Sequence, residues 1–334
     1  HKSYAQLDNV HYLQPMINYN YGTDGMMKAE NVYISTPSET EITVNVTKMD
    51  GAEFPIYVHY YTETGGHISS GWANDGKVKI SKYKFARTSL GASPGNTPTL
   101  RPLSESFQNI SASLGGLTFK SNKEFYVNYR AHANGHAVSF LSKGRRAVGK
   151  NFHWGGAPAR HRAATTNINN FVTVTALEDG GTDVTFSGLE PGINVMKGTS
   201  KYNISGTTFT RNLNKGESIV VRVKLEGNNG SAAVNTLHRN GWMGTKITST
   251  KNIVVTNGGL AMQGGAEGNA DYGIEQITPI EYLGTEHMVM QGLGAAADEK
   301  VYVIATEPST YVIVNGNTYQ LLNNVGDWVE IPGT

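Results

Sequence analysis

The chain has 334 residues, with 28 Lys and Arg against 27 Asp and Glu, for a formal net charge of +1. Charge this balanced, with no block of like charges, points away from a nucleic-acid groove and from an anionic membrane surface. The absence of cysteine excludes disulfides, zinc–thiolate sites and thiol catalysis.

Glycine is frequent at 39 residues, only 16% of the chain is charged, and Thr, Val, Ile, Tyr and Asn dominate between the turns. That mixture predicts an all-β protein of many short strands. At ~100–200 residues per domain, more than one core is expected. No apolar stretch approaches the ~20 residues of a membrane span, so no direct membrane insertion is expected. A cysteine-free chain of this kind suits a bacterial surface protein, exported with its signal peptide removed before His1.

In chain order, the first predicted element is a hairpin over Tyr33 to Val44, strand, polar turn, strand. It recurs at Val174 to Phe186 and at Val303 to Val314, with Ser35–Val44 falling on Ala305–Val314 without a gap. Residues 63–115 read as a long insertion, with Trp72 and several prolines. Leu117 to Val127 matches Lys246 to Val255, and the shared Ser121-Asn122-Lys123 and Ser249-Thr250-Lys251 read as hairpin turns. Lys143-Gly144-Arg145-Arg146, the densest basic spot, reads as a solvated turn. Ala147 to Trp154 matches Tyr282 to Val289, with Gly149 and Gly284 aligned ahead of a strand. Lys215-Gly216-Glu217 and Val325-Gly326-Asp327 form a repeated glycine–acid turn.

These pieces define a unit of roughly 130 residues, longer than a usual solenoid repeat. Three related antiparallel units are expected to pack together: 10–146 with the 63–115 insertion, 147–281, and a partial third over 282–334. Each is expected to be sandwich-like, and a β-propeller of recurrent hairpins is the alternative. Ile34, Val44, Val174, Phe186, Ile304 and Val314 are the expected core positions. The third unit lacks a Ser-X-Lys piece, so either later residues of the polypeptide complete it or the strand near Tyr12-Leu13 closes it.

Catalytic chemistry finds little support. There is no Gly-X-Ser-X-Gly and no P-loop, so the chain is read as no enzyme, although Glu178, Asp183 and Glu275 are the carboxylates a hydrolase would have to bring together. His132, His136, His153 and His161 are the imidazoles available to a metal, and Asp271, Glu275 and Glu281 beside Gly264-Gly265 the oxygen ligands for Ca2+. Otherwise no cofactor is expected. Trp72, Trp154 and Trp242 either stack on sugars or fill cores. Local function is placed in the 63–115, 155–168 and 226–242 segments. Sequons at Asn45, Asn109, Asn203 and Asn229 matter only in a host that glycosylates them.

Ser142-Lys143-Gly144, Ala147, Gly149, Thr175 to Asp179, Gly244, Ser249, Lys251, Asp271 to Gln276 and Leu283 to Glu286 together resemble a module at the N-terminal end of very large Bacteroidota surface proteins. Those are exported by the type IX secretion system, and some are gliding-motility adhesins. The hairpin and Ser-X-Lys pieces are also similar, more distantly, to the N-terminal domain of the IgG Fc-binding mucin-like protein. Both resemblances imply an extracellular, non-catalytic adhesion or interaction module. Its partners would be other surface proteins or glycans, and the type IX machinery during export. The alternative is a secreted carbohydrate-active or glycan-binding protein.

Overall fold

A computed structural model describes residues 6–18, 29–89, 104–106, 116–133, 136–158, 169–197, 200–202, 204, 206–224, 236–260, 272–290, 292 and 299–333. The first body contains β1 (Asp8–Leu13), β2 (Met16–Asn18), β3 (Ala29–Ser35), β4 (Ile42–Lys48), β5 (Ile56–Thr62), β6 (His67–Ala73), β7 (Lys77–Ile80), β8 (Lys84–Ser89), β9 (Ser104–Ser106), β10 (Leu117–Ala133) and β11 (His136–Leu141). The second contains β12 (Val148–His153), β13 (Asn169–Ala176), β14 (Thr182–Ser187), β15 (Val195–Lys197), β16 (Ser200–Lys201), β17 (Phe209–Leu213), β18 (Ser218–Lys224), the short helix α1 (Thr236–Asn240), β19 (Lys246–Leu260) and β20 (Tyr272–Gln276). The third contains β21 (Lys300–Ile304), β22 (Thr310–Val314), β23 (Asn317–Leu322) and β24 (Trp328–Pro332).

The first two bodies share one topology. A nine-stranded sheet runs β6-β5-β8-β3-β10-β4-β7, with β1 and β11 also on β10, and another runs β16-β15-β18-β13-β19-β14-β17, with β12 and β20 also on β19. These are curled antiparallel sheets, as expected for sandwich-like units. They are not the four-stranded blades of a propeller, and that alternative falls. Residues 67–89, inside the expected insertion, form β6, β7 and β8, which have counterparts in β16, β17 and β18.

Alternation builds each core. In β4, Ile42, Val44 and Val46 point inward while Thr43 and Asn45 do not, and each buried aliphatic side chain contributes roughly 1.5–3 kcal/mol. Ile34, Val44, Val174 and Phe186 are all buried, as their repeat positions require. Ile304 and Val314 are only partly covered, and Val312 takes the buried place in β22.

The Ser-X-Lys pieces are not hairpin turns. Each lies inside one long strand, β10 of 17 residues and β19 of 15. The first half of β10 pairs with β4 and its second half with β3 and β11, while β19 divides in the same way between β14 and β13 with β20. The register of β1 on β10 shifts between Asp8 and Val10, and that of β12 on β19 between Gly149 and Asn151. An irregularity at that point lets one strand bend through both halves of the sheet. The lysine acts on a neighbouring turn: Lys123 Nζ donates to Thr40 Oγ1 at 2.7 Å, and Lys251 Nζ to the Asp179 carbonyl.

The glycine–acid turn is the same structure twice. Gly216 N donates to Ala176 O at 2.8 Å and Gly326 N to Ala305 O at 2.9 Å. In each turn an acid closes the loop, Glu217 accepting from Asn214 N at 2.7 Å and Asp327 from Asn324 N at 2.8 Å.

The bodies stack through one repeated contact, made by the residues that follow β1 or β12. Gln14 accepts from Thr256 Oγ1 at 2.5 Å, and Pro15 O accepts from Thr173 Oγ1 at 2.6 Å. Phe171, Val220, Tyr272 and Ile274 of the second body belong to the first core. One step along, Trp154 and Trp242 lie in the second core, where Tyr302 and Trp328 of the third body pack against it. Gly244 and Gly326 meet there backbone to backbone: a Cβ on Gly244 would sit 2.0 Å from Gly326 O.

Candidate interaction surface

The register of β6, β5, β8 and β3 places three rows of side chains on the outer face of the first sheet. Trp72 lies opposite Tyr57; Ser70, His59, Arg87 and Tyr33 form the middle row; His67, Tyr61 and Phe85 form the third. This parity of β5 is aromatic and polar, whereas Ile56 and Val58 on the other parity are buried.

The rows are held by ring and cation contacts. Tyr57 and Trp72 meet edge to face at 5.4 Å, Tyr61 stacks on Phe85 at 5.3 Å, and the Arg87 guanidinium lies 5.4 Å from the Tyr61 centroid. Arg130 lies 4.8 Å from the Tyr33 ring. Ser70 Oγ sits between two imidazoles, 2.7 Å from His59 Nδ1 and 2.8 Å from His67 Nε2. A hydroxyl has one proton, so one ring accepts from it and the other donates to it. Burial, then the charges of Arg87 and His67, push the His59 pKa down, so the ring favours its neutral form. Arg87 Nε has no hydrogen-bond partner among the described residues. All of β6 except Ala73 is exposed, and Trp72 keeps 51% of its surface.

A hollow of about 460 Å³ opens nearby, lined by Val58, Tyr60, Ser69, Gly71, Lys77 and Lys79 among others. Lys77 is paired with Asp75 at 2.9 Å, the Lys79 backbone N donates to the Tyr60 hydroxyl at 3.3 Å, and Lys84 Nζ lies 5.1 Å from the Tyr60 ring centroid.

This face has a counterpart that is covered. Shared register sets Asn31, Tyr33, Arg87 and Asn128 of the first sheet on Phe171, Thr173, Val220 and Thr256 of the second. The second set is buried against the first body. The first set carries a guanidinium and a phenol at two of the positions where the second has a valine and a threonine. At those two positions the stacking face thus changes from small side chains to an aromatic and a cationic one.

The other expected site residues fall elsewhere. Trp154 and Trp242 are buried with ring centroids 5.0 Å apart, and of these three tryptophans Trp72 alone offers its ring to solvent. Asp271, His161 and Gly264-Gly265 lie outside the described residues. Glu275 is paired with Lys143 at 3.2 Å and Glu281 accepts from Asn151 at 2.9 Å. Among the described residues no three His, Asp or Glu side chains come together as metal ligands would. His132 and His136 sit at the β10–β11 turn, and His153 is buried, donating from Nδ1 to Gly244 O at 2.8 Å. Glu178 accepts from Asn252 N at 3.1 Å and Asp183 from Asn212 at 2.8 Å, so both carboxylates serve turns. Of the segments expected to carry function, 90–103, 107–115, 159–168 and 226–235 lie outside the described residues. The outer-face rows had one signal in the sequence, the alternation Tyr57, His59, Tyr61 along β5.

The fold defines an all-β protein of stacked, repeated sheets. The chain belongs to the family described as IgGFc binding protein, which it matches over residues 138–334, more than half its length. No curated protein and no solved structure matches it.

Proposed function

We propose that this chain is a non-catalytic extracellular adhesion or interaction module of a large bacterial surface protein, and that it engages partners through the outer face of β6, β5, β8 and β3. The observation that supports this most is the changed stacking face: Tyr33 and Arg87 stand where the second sheet presents Thr173 and Val220 to a neighbour. Aromatic rings and Arg are the residue types enriched at interface hot spots. Membership of a family described by a binding role supports the same reading. Among the described residues no helix is long and apolar enough to cross a membrane.

The unit limits 10–146, 147–281 and 282–334, export by the type IX system and a place in gliding motility belong to this proposal through the resemblance to Bacteroidota surface proteins. Partners are other surface proteins or glycans, and immunoglobulin Fc belongs in the screen because the family's description names it. The carbohydrate-active alternative draws on Trp72 beside the 460 Å³ hollow.

A glycan array, an Fc-binding assay and a polysaccharide hydrolysis screen separate the readings. Binding that drops at least tenfold in Trp72→Ala or Arg87→Ala, with no turnover, is expected; hot-spot truncations cost ~2 kcal/mol or more. Turnover abolished by one Asp or Glu substitution would replace the module with an enzyme.

A further inference from the structure

In both complete sheets one long strand is the hub. β10 takes β1, β3, β4 and β11, and β19 takes β12, β13, β14 and β20. The third body repeats the flanking parts. β21 and β24 pair as β13 and β18 do, and β22 and β23 pair as β14 and β17 do. In the second body β19 lies between β13 and β14, whereas no described strand pairs with the second edge of β21 or of β22.

A second observation comes from the segment before β21. A short 3-10 turn at Gly144–Ala147 leads into β12, which pairs with β19. A matching 3-10 turn at Ile280–Tyr282 leads into Leu283 to Met290, which follows the same pattern with Gly284 at the place of Gly149. This stretch forms no strand, contrary to the sequence expectation, and leaves Met288, Val289 and Met290 at 91%, 63% and 85% exposure. So the three elements that contact the hub strand elsewhere lack it together.

A third observation is chemical. Ala176 and Ala305 make matching backbone bonds to their glycine–acid turns, which aligns Glu178 with Glu307. Glu178 accepts the backbone N–H of Asn252, within the hub strand, at 3.1 Å. The Glu307 side chain is bonded to nothing among the described residues.

We infer that the unpaired edges of β21 and β22 together form an acceptor groove for one extended polypeptide strand of the β10 and β19 class, supplied from outside residues 1–334. The donor lies antiparallel to both edges, as β19 does to β13 and β14, and draws Leu283 to Met290 in alongside it. Its chemistry is set by the two hubs present: about fifteen residues, inward apolar positions like Ile247, Ile253 and Val255, and a central Ser-X-Lys whose lysine caps the turn at 307–309. The core awaiting it is small, Ala305, Val312, Leu322 and Val329 with Val303, Val314 and Ile331 partly covered. Strand addition satisfies edge amides and carbonyls while pockets read alternate side chains.

The test uses residues 1–334 and a synthetic peptide of the β19 sequence, Lys246–Leu260. Hydrogen exchange of the protein alone should show β21 and β22 exchanging far faster than β13 and β14. Adding the peptide should give saturable one-to-one binding, slow exchange across β21 and β22 and bring protection to 283–290. Glu307→Gln should weaken it ~10-fold, the value of one charge-assisted hydrogen bond. A peptide with Lys251→Ala should also bind less tightly, and one of scrambled order should not bind. If β21 and β22 are already as protected as β13, the groove is filled from within the chain and the inference fails. Absence of binding, or protection appearing only on other strands, overturns it as well.

Discussion

Gly244→Ala tests the contact between the second and third bodies. Gly244 has φ +77, and a Cβ there would stand 2.0 Å from Gly326 O and 2.9 Å from Gly326 C, both backbone atoms that no rotamer change can move. Ordinary van der Waals contact begins near 3.4 Å, so the strand ends must separate by more than 1 Å or the turn must change conformation. The left-handed backbone costs ~1–2 kcal/mol for any residue with a Cβ, and overpacking a fixed contact adds ~1–3 kcal/mol. Gly188→Ala isolates the first cost, because Gly188 has φ +81 and nothing within 4 Å of the added carbon. Denaturant unfolding of the two variants should therefore differ by ~1–3 kcal/mol, with Gly244→Ala the weaker protein. Hydrogen exchange should show the excess loss confined to β21, β24 and the turn at 323–327. Equal destabilisation by the two substitutions would mean that the third body does not rest on Gly244, and the stacking described above would be wrong.

Trp154→Ala removes one of the indole rings of the same contact and should cost ~3–5 kcal/mol; a loss under ~1 kcal/mol in chemical denaturation would contradict its burial. Asp8 is opposed by burial, yet hydrogen bonds from the Arg145 side chain and backbone and from Asn9 N lower its pKa below the ordinary 3.8. Its stabilisation is thus present above the unfolded-state value and is lost as pH falls through the folded one. Asp8→Asn should lower stability by ~1–2 kcal/mol at neutral pH, and the gap to wild type should close below about pH 4. Lys251→Met should free the turn at 178–181, seen as faster amide exchange there, with a global cost of only ~0.5–1 kcal/mol.

Local signals carried much of this fold. The strand–turn–strand order at Tyr33, Val174 and Val303 holds in the structure, but the pieces are not hairpins: β10 lies between β3 and β4, β19 lies between β13 and β14, and β21 and β22 do not pair. The glycine–acid turns at Gly216 and Gly326 need a backbone that only glycine adopts freely. The hub strands were not legible. Ser121-Asn122-Lys123 and Ser249-Thr250-Lys251 interrupt an apolar alternation with polar residues, which is also how a turn reads. What makes them strand is pairing with residues far away in sequence, Thr36 Oγ1 donating to Glu124 O at 2.7 Å for one. The tryptophans were ambiguous for a related reason. Trp154 and Trp72 follow similar polar stretches, and only the arrival of the third body decides that the first is enclosed.

The same argument explains why the proposed binding face was hard to foresee. In a stack, one surface of each sheet serves as an interface, so its composition follows its neighbour and not the strand it belongs to. Thr173, Val220 and Phe171 are small or apolar because Gln14, Pro15 and Met16 press on them. Tyr33, Arg87 and Asn31 occupy the same register, and β8, which carries Arg87, keeps the backbone pairing that β18 has. Backbone register is therefore retained where side-chain chemistry changes. That combination keeps the strand-paired platform, and on it the rows from Trp72 to Tyr33 are positioned by strand pairing and by ring and cation contacts. A partner meeting this face finds rings and guanidinium groups already ordered, which lowers the entropy cost of association that flexible loops would carry.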